Sequence, residues 1–368
     1  MNRSVTNLSS FRASALDQTY LGQLCRSGQR FRDRYDILKI LGQGGFGITF
    51  LARDAMLPGR PLCVIKQLCP KVNDPAALQK ARKRFEQEAR TLSKLGSHAQ
   101  IPQLLDYFET NGEFYLVQEY VRGFTLTKAV TRYGPFPESA VKHFLREILL
   151  LLQYVHSNGV IHRDIKPPNL IRCKDDGRLV LIDFGAVKEH IAPVSDSSAK
   201  PTTTQFVGTV GFAPPEQLAS RPIYASDIYA LGITCLYLMS GKPPLEFDYE
   251  FVTGEIRWRD HIAVSEHFGA VLSKMLKVSP HERYQSAREV IRALELEPYF
   301  DNLVHCMNIN PKPFAQSSSA DAADHDGYVP PLVRTATAIR DWQAKLKARR
   351  LRDRTQPRIT HSGSSYFR

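Results

Sequence analysis

From Tyr35 onward, apolar and polar positions alternate through "YDILKILGQGGFGITFLARD", interrupted once by a cluster of glycines. That pattern predicts a strand, a glycine turn and a second strand, with "LCVIKQL" as a third. The period then changes: Leu78, Ala81, Phe85, Leu92 and Leu95 recur at helical spacing, which predicts a helix over 77–95 with one buried side. "FYLVQEYV" reads as a further buried strand. Beyond Gly123 the helical period takes over, at 138–157, about 226–240 and 284–294, with short strands near residues 170 and 182. A small β-rich part therefore precedes a larger, mainly helical one. Past residue 298 the periodicity fades, and "AQSSSADAADHDG" has linker composition, giving a linker over 298–331. Leu332, Ala336, Ile339, Trp342 and Leu346 then return at helical spacing with Arg and Lys between them, predicting a basic amphipathic helix over 332–354 and a flexible tail over 355–368.

With 43% hydrophobic and 23% charged residues in 368, the chain has the composition of a globular protein. Its longest aliphatic run, Ile148 to Leu152, is far shorter than the roughly 20 residues of a membrane-spanning helix. The first twenty residues lack the apolar stretch of a signal peptide, so a cytoplasmic location is expected. Six cysteines lie scattered without a CxxC pair, which argues against a zinc site and against a disulfide framework.

The net charge of +12 is uneven. Residues 1–30 hold four Lys or Arg against one acid, and residues 332–368 hold ten against two. The middle is close to balanced, so the basic character belongs to a short extension over 1–32 and to the C-terminal stretch.

"GQGGFG" sets Gly42, Gly44 and Gly47 where backbone N–H groups could approach a phosphate. Because a strand follows it, the segment is a glycine hairpin and not a dinucleotide-binding turn. Glu88 falls on the apolar face of its helix, where a carboxylate is costly unless paired, and Lys66 of "VIKQL" is the partner that would serve. "HRDIKPPN" and "IDFG" place Asp164, able to accept a proton, in one chain segment with Asn169, and Asp183 further on; the last two offer the oxygen ligands that Mg²⁺ prefers.

Taken in order, Gly42, Gly44, Gly47, Lys66, Glu88, Asp164, Asn169 and Asp183 resemble the protein kinases. The resemblance covers roughly 33–297 and implies an α+β, two-lobed fold, with a β-rich N-lobe over 33–121 and a mainly helical C-lobe over 122–297. "GTVGFAPPE" is similar to the family's substrate loop and closing element, with Thr209 in the catalytic set, Glu216 as the closing glutamate and Arg283 as its partner. Asp227 matches the aspartate that braces the catalytic loop, although a plain helix N-cap would also explain it. Thr49, where many kinases carry valine, and Pro214, in place of an alanine, look like the eukaryotic-type (Hanks-type) kinases of bacteria, cyanobacteria above all.

The roles so implied are specific. Lys66, oriented by Glu88, would hold the α and β phosphates of ATP; Asn169 and Asp183 would hold Mg²⁺, with Mn²⁺ able to substitute; Asp164 and Lys166 would serve the attacking hydroxyl. Adenine would meet the backbone at Glu119 and Val121, with Gln118 as gatekeeper and Leu41, Thr49, Val64 and Ile171 around it. Lys166 points to serine/threonine protein substrates and away from small-molecule kinases. A catalytically inactive scaffold with a partner-binding basic tail is the alternative, but every residue such scaffolds lose is present. Arg163 could pair with a phosphate on the activation segment, with Thr202, Thr203 and Thr204 as acceptors. Thr125, Pro168 and Tyr237 put no carboxylate before the phosphoacceptor, and Phe206, Val210 and Ala213 suggest an apolar pocket after it. For the basic C-terminal helix, docking back on the kinase domain is preferred over binding an acidic partner or nucleic acid and over lying on an anionic membrane surface. Oligomeric state, substrate and upstream signal are left open.

Overall fold

The structure is a computed structural model, and it describes residues 19–43, 47–68, 75–189 and 208–297. Gly44, Thr202, Thr203, Thr204, Phe206 and the expected helix over 332–354 lie outside the described residues.

The N-lobe is built on one antiparallel sheet. Its strands β1 (Tyr35–Gln43), β2 (Gly47–Asp54), β3 (Leu62–Leu68), β4 (Leu104–Thr110) and β5 (Glu113–Glu119) lie in the order β1-β2-β3-β5-β4. β2 pairs with β3 in unbroken register, setting Thr49 opposite Lys66. Between β3 and β4 runs α2 (Pro75–Leu95), two residues longer at its start than the periodicity predicts, since proline at a first helical position forfeits no hydrogen bond. Ala81, Phe85, Leu92 and Leu95 are buried along it, as the spacing requires.

The opposite face of the sheet is closed by a segment for which the sequence carries little pattern. Helix α1 (Tyr20–Ser27), capped by the Thr19 side chain accepting from Gly22 N–H, buries Leu21 and Leu24 against Phe31, Tyr35, Phe50 and Tyr115. The expected extension over 1–32 thus includes a part that packs into the N-lobe.

The C-lobe follows from β6 (Gly123–Thr125) and α3 (Leu126–Tyr133) to the long α4 (Glu138–Ser157). The short strands β7 (Val160–Ile161), β8 (Leu170–Cys173), β9 (Leu179–Leu181) and β10 (Lys188–Glu189) frame the catalytic segments, with β6-β8-β9 in one small sheet and β7-β10 in another. A short α5 (Pro215–Leu218) leads to α6 (Tyr224–Ser240), which is apolar on nearly all sides and accordingly runs through the core. Two further helices, α7 (Glu266–Met275) and α8 (Ala287–Glu295), complete the described part. α8 starts three residues later than expected because Ser286 caps it, accepting from Glu289 N–H at 3.3 Å.

One continuous apolar core runs from Phe85 and Leu92 of α2 through Phe184 to α4 and α6. Among the described residues no helix is long and apolar enough to cross a membrane, and Cys63, Cys173 and Cys235 are buried free thiols. Replacing Phe31, 1% exposed under α1, with alanine should cost about 3–5 kcal/mol. Urea unfolding followed by near-UV circular dichroism checks this, and an unchanged midpoint would show that α1 and its neighbours add nothing to the lobe.

Candidate active site

Lys66 stands on β3 with its side chain turned toward α2. Its Nζ donates to Glu88 Oε1 at 2.5 Å and to Asp183 Oδ1 at 3.1 Å. Glu88 is 4% exposed, so the pairing inferred from its place on the apolar face is present. Burial alone would discharge the lysine, but the Asp183 and Glu88 carboxylates raise its pKa above the ordinary lysine value. In return Lys66 holds the Asp183 carboxyl below its usual range. Three separate segments therefore meet at one cation. Gly185 belongs to the same arrangement, because a Cβ there would lie 3.1 Å from Glu88 Oε2.

The glycine turn has two different explanations. A Cβ on Gly47 would fall 2.0 Å from the Gln67 carbonyl oxygen of β3, so the sheet itself excludes any side chain. A Cβ on Gly42 would meet nothing within 4 Å among the described residues, so their packing does not require that glycine. Val64 and Val121 are buried, Leu41 and Ile171 are partly exposed, and Gln118 is buried at the sheet's inner end. Glu119 pairs through its strand with Cys63, at the start of the link between the lobes.

The catalytic loop is fixed from below. Asp227, wholly buried in α6, accepts from the backbone N–H of His162 and of Arg163, each at 2.8 Å, and meets His156 Nε2 at 2.9 Å. It is the fourth residue of its helix, with Ile223 at the cap, so the N-cap explanation fails. Burial would raise its pKa, but the His156 ring above all, with the His162 ring and the Arg163 N–H, holds it below the normal aspartate value. Arg163 itself has φ 68°, a left-handed conformation that costs free energy for any residue with a side chain. The hydrogen bond from its N–H to Asp227 helps to keep it there. Asp183 is held in the same region of backbone space, with φ 69°.

Above this base the reacting groups converge. Asn169 Nδ2 donates to Asp164 Oδ2 and to the Asp164 carbonyl, both at 2.9 Å, which leaves its amide oxygen for another partner. Lys166 Nζ lies 2.8 Å from Asp164 Oδ2 and donates to Thr209 Oγ at 2.6 Å. The Thr209 hydroxyl in turn donates to Asp164 Oδ1 at 2.8 Å. The segment around Thr209 is thus tied to the Asp164 carboxylate. It is tied a second time by Glu216, whose carboxylate receives Arg283 Nη1 at 2.5 Å, Arg283 Nη2 at 3.1 Å and Ser226 Oγ at 2.8 Å. Arg283 is completely buried, and its other donors meet the carbonyls of Lys277 and Val278.

Sequence reasoning missed His156 and Gln217, whose Nε2 donates to the Arg163 carbonyl at 2.6 Å. Neither carries a spacing signal, since each acts through a contact between distant segments. Of the expected specificity residues, Thr125 caps α3, accepting from Lys128 N–H at 3.3 Å. Arg163 is buried enough, and near enough to Arg84 of α2, that its pKa falls to about 10; its Nε has no hydrogen-bond partner among the described residues.

The depressed Asp227 pKa has a pH consequence. Its unfolded value is about 3.9 and its folded value is lower, so its contribution to stability is full above pH 4 or so and is lost as pH falls through the folded value. An Asp227→Asn variant should be less stable at neutral pH and show a shallower loss on acidification. Equal acid slopes in urea titrations of the two proteins would show that Asp227 is not held by these donors.

Comparison with known proteins bears on the same residues. The protein kinase domain model matches residues 35–295. Serine/threonine-protein kinase B of Synechocystis sp. is 53% identical over 292 residues, covering 78% of this chain and 51% of that protein. PknA of Nostoc sp., a serine/threonine-protein kinase, is 46% identical over 270 residues, covering 73% and 48%. PrkC of Bacillus subtilis, also named a serine/threonine-protein kinase, is 30% identical over 277 residues, covering 72% and 40%. The chain spans about half the length of the cyanobacterial relatives it matches.

Proposed function

Because the chain belongs to the protein kinase domain family, we propose that it is a serine/threonine protein kinase that moves the γ-phosphoryl group of ATP to a protein hydroxyl. The observation that carries this reading is the intact convergence of Lys66, Glu88 and Asp183 beside Asp164, Asn169, Lys166 and Thr209. Lys66, Asp164, Asn169 and Asp183, the residues that an inactive scaffold would have lost, are all present.

Phosphoryl transfer asks the protein chiefly for position and for compensation of charge. Lys66, kept cationic by two carboxylates, answers the phosphates on one side. Asp183 and the free amide oxygen of Asn169 are the two protein oxygens for a divalent cation. Among the described residues no group of three His, Cys, Asp or Glu could hold a metal by itself. Two protein oxygens suit Mg²⁺, which keeps most of its shell as water and phosphate, and the cation would neutralise charge on the transferred group. Asp164 is poised to accept a hydrogen bond from the attacking hydroxyl, and Lys166 beside it neutralises charge near the transferred group. Thr209 now occupies one Asp164 oxygen, so an incoming hydroxyl must share or displace that bond.

Two finer readings belong with it. Mg²⁺ is the preferred cation, with Mn²⁺ as a substitute. Arg163, whose Nε meets no partner among the described residues and which has Arg84 close by, would be stabilised by an anion, which supports phosphorylation at Thr202, Thr203 or Thr204 as the switch.

Asp183→Asn should abolish transfer, lowering kcat by about 10³-fold or more, because one of two metal-binding oxygens loses its charge. Folded protein that leaves itself and a basic test protein unlabelled by γ-labelled ATP, with Mg²⁺ or Mn²⁺ present, would defeat the proposal. Replacing Thr202, Thr203 and Thr204 together with alanine should lower turnover of the pre-phosphorylated enzyme about tenfold. Unchanged turnover would remove the switch while leaving the catalytic reading intact.

A further inference from the structure

Between α6 and α7 the chain has no α-helix; residues 248–257 close a narrow hairpin instead. Arg257 N–H donates to the Asp248 carbonyl at 2.8 Å, Glu250 N–H to the Glu255 carbonyl at 2.7 Å, and Gly254 N–H to the Glu250 carbonyl at 2.8 Å. Its base is anchored in the C-lobe core by Phe247, Ile256 and Trp258, which are 4%, 7% and 3% exposed. Its tip is the opposite: Phe251 is 99% exposed and Val252 is 87% exposed. Single exposed apolar side chains are ordinary on a folded surface. Here an aromatic and an aliphatic residue stand together on a turn held at its base by three buried side chains.

The hairpin continues from the substrate loop. Gly211, two residues after Thr209, packs on the turn that leads into the hairpin: a Cβ built there would lie 3.2 Å from Pro244 Cβ and 3.4 Å from Leu245 Cγ. Val210 and Leu245 are both exposed on either side of this contact. The surface is also acidic. Residues 246–255 hold four carboxylates and no Lys or Arg. Glu255 pairs with Lys277 at 2.8 Å, but Glu246, Asp248 and Glu250 are exposed and form no ion pair with a described residue.

We propose that this hairpin docks the part of a protein substrate that follows the phosphoacceptor, and that it selects an apolar residue flanked by Lys or Arg. The proposal rests on the kinase reading above. Phe251 and Val252 supply apolar area, and the three unpaired carboxylates repel an acidic segment and attract a basic one, an effect that salt weakens. Continuity with Val210 and Gly211 sets the polarity: a substrate seated at Asp164 reaches the hairpin with residues beyond the one after its hydroxyl. The absence of carboxylates at Thr125, Pro168 and Tyr237 agrees, since no basic preference is then expected before the phosphoacceptor.

Two synthetic peptides test this on the full chain. Both carry the same serine-containing acceptor segment; one ends shortly after it, and the other continues for about ten residues with Leu and Phe set among Lys and Arg. The longer peptide should have a KM about tenfold lower at equal kcat, with the advantage shrinking as salt rises. A Phe251→Ser, Val252→Ser double variant should keep the kinetics of the short peptide and lose the advantage of the long one. Glu246→Gln with Glu250→Gln should reduce that advantage and its salt dependence. Equal KM values for the two peptides on the unaltered chain, or an advantage that survives the double variant, would overturn the proposal. So would a double variant whose only change is loss of self-association, which would make the hairpin a contact between copies. Failure to label either peptide or the chain itself would instead remove the kinase reading, and this proposal with it.

Discussion

The ion pair between Lys66 and Glu88 is the interaction on which the site depends. Glu88 is buried and Lys66 nearly so, each would be expensive alone, and together they fix the distance between β3 and α2. Removing one partner strands the other as an uncompensated charge, so the pair favours one relative position of sheet and helix. Asp183 joins as a third member, which carries the constraint across to the C-lobe. A buried pair of this kind is weak evidence for added stability and better evidence for specified geometry.

A second buried carboxylate does the corresponding work beneath Asp164, Lys166 and Asn169. Asp227 holds two consecutive backbone N–H groups of the catalytic loop and thereby supports the left-handed turn at Arg163. The loop can then present Asp164, Lys166 and Asn169 upward from one short stretch. The Glu216–Arg283 pair does the same for the substrate loop, so the two loops meet at Asp164 and Thr209 because each is anchored independently in the core. The left-handed turn at Arg163 is local, and the Asp227 carboxylate that receives its N–H is wholly buried beneath it.

Much of this was legible in the chain. The strand and helix periods located the two lobes, and the motifs identified Lys66, Glu88, Asp164, Asn169 and Asp183 by residue type and order. The apolar face of α2 even predicted that Glu88 needed a cation. What the sequence could not show was contact between distant segments without a periodic signature. His156 reaches Asp227 only because α4 and α6 pack together, and Gln217 reaches Arg163 only because α5 lies under the loop. The packing of α1 on the sheet was hidden for the same reason, since eight residues carry too short a pattern to reveal which face they cover. The start of α8 was misplaced because Ser286 looked like one polar residue among several until its side chain was seen to cap Glu289 N–H. The glycine motif was half understood: Gly47 is required by the neighbouring strand, whereas a side chain at Gly42 would meet none of the described residues.

The central claim is that Lys66 works because Glu88 holds it, and Glu88→Gln tests that most directly. The substitution keeps the shape of the side chain and removes its charge. Steady-state phosphorylation by the otherwise unaltered chain, with ATP varied, should show kcat/KM for ATP reduced by about 10²-fold or more while the protein still unfolds cooperatively. A folded Glu88→Gln protein with the kcat/KM of the parent would contradict the account.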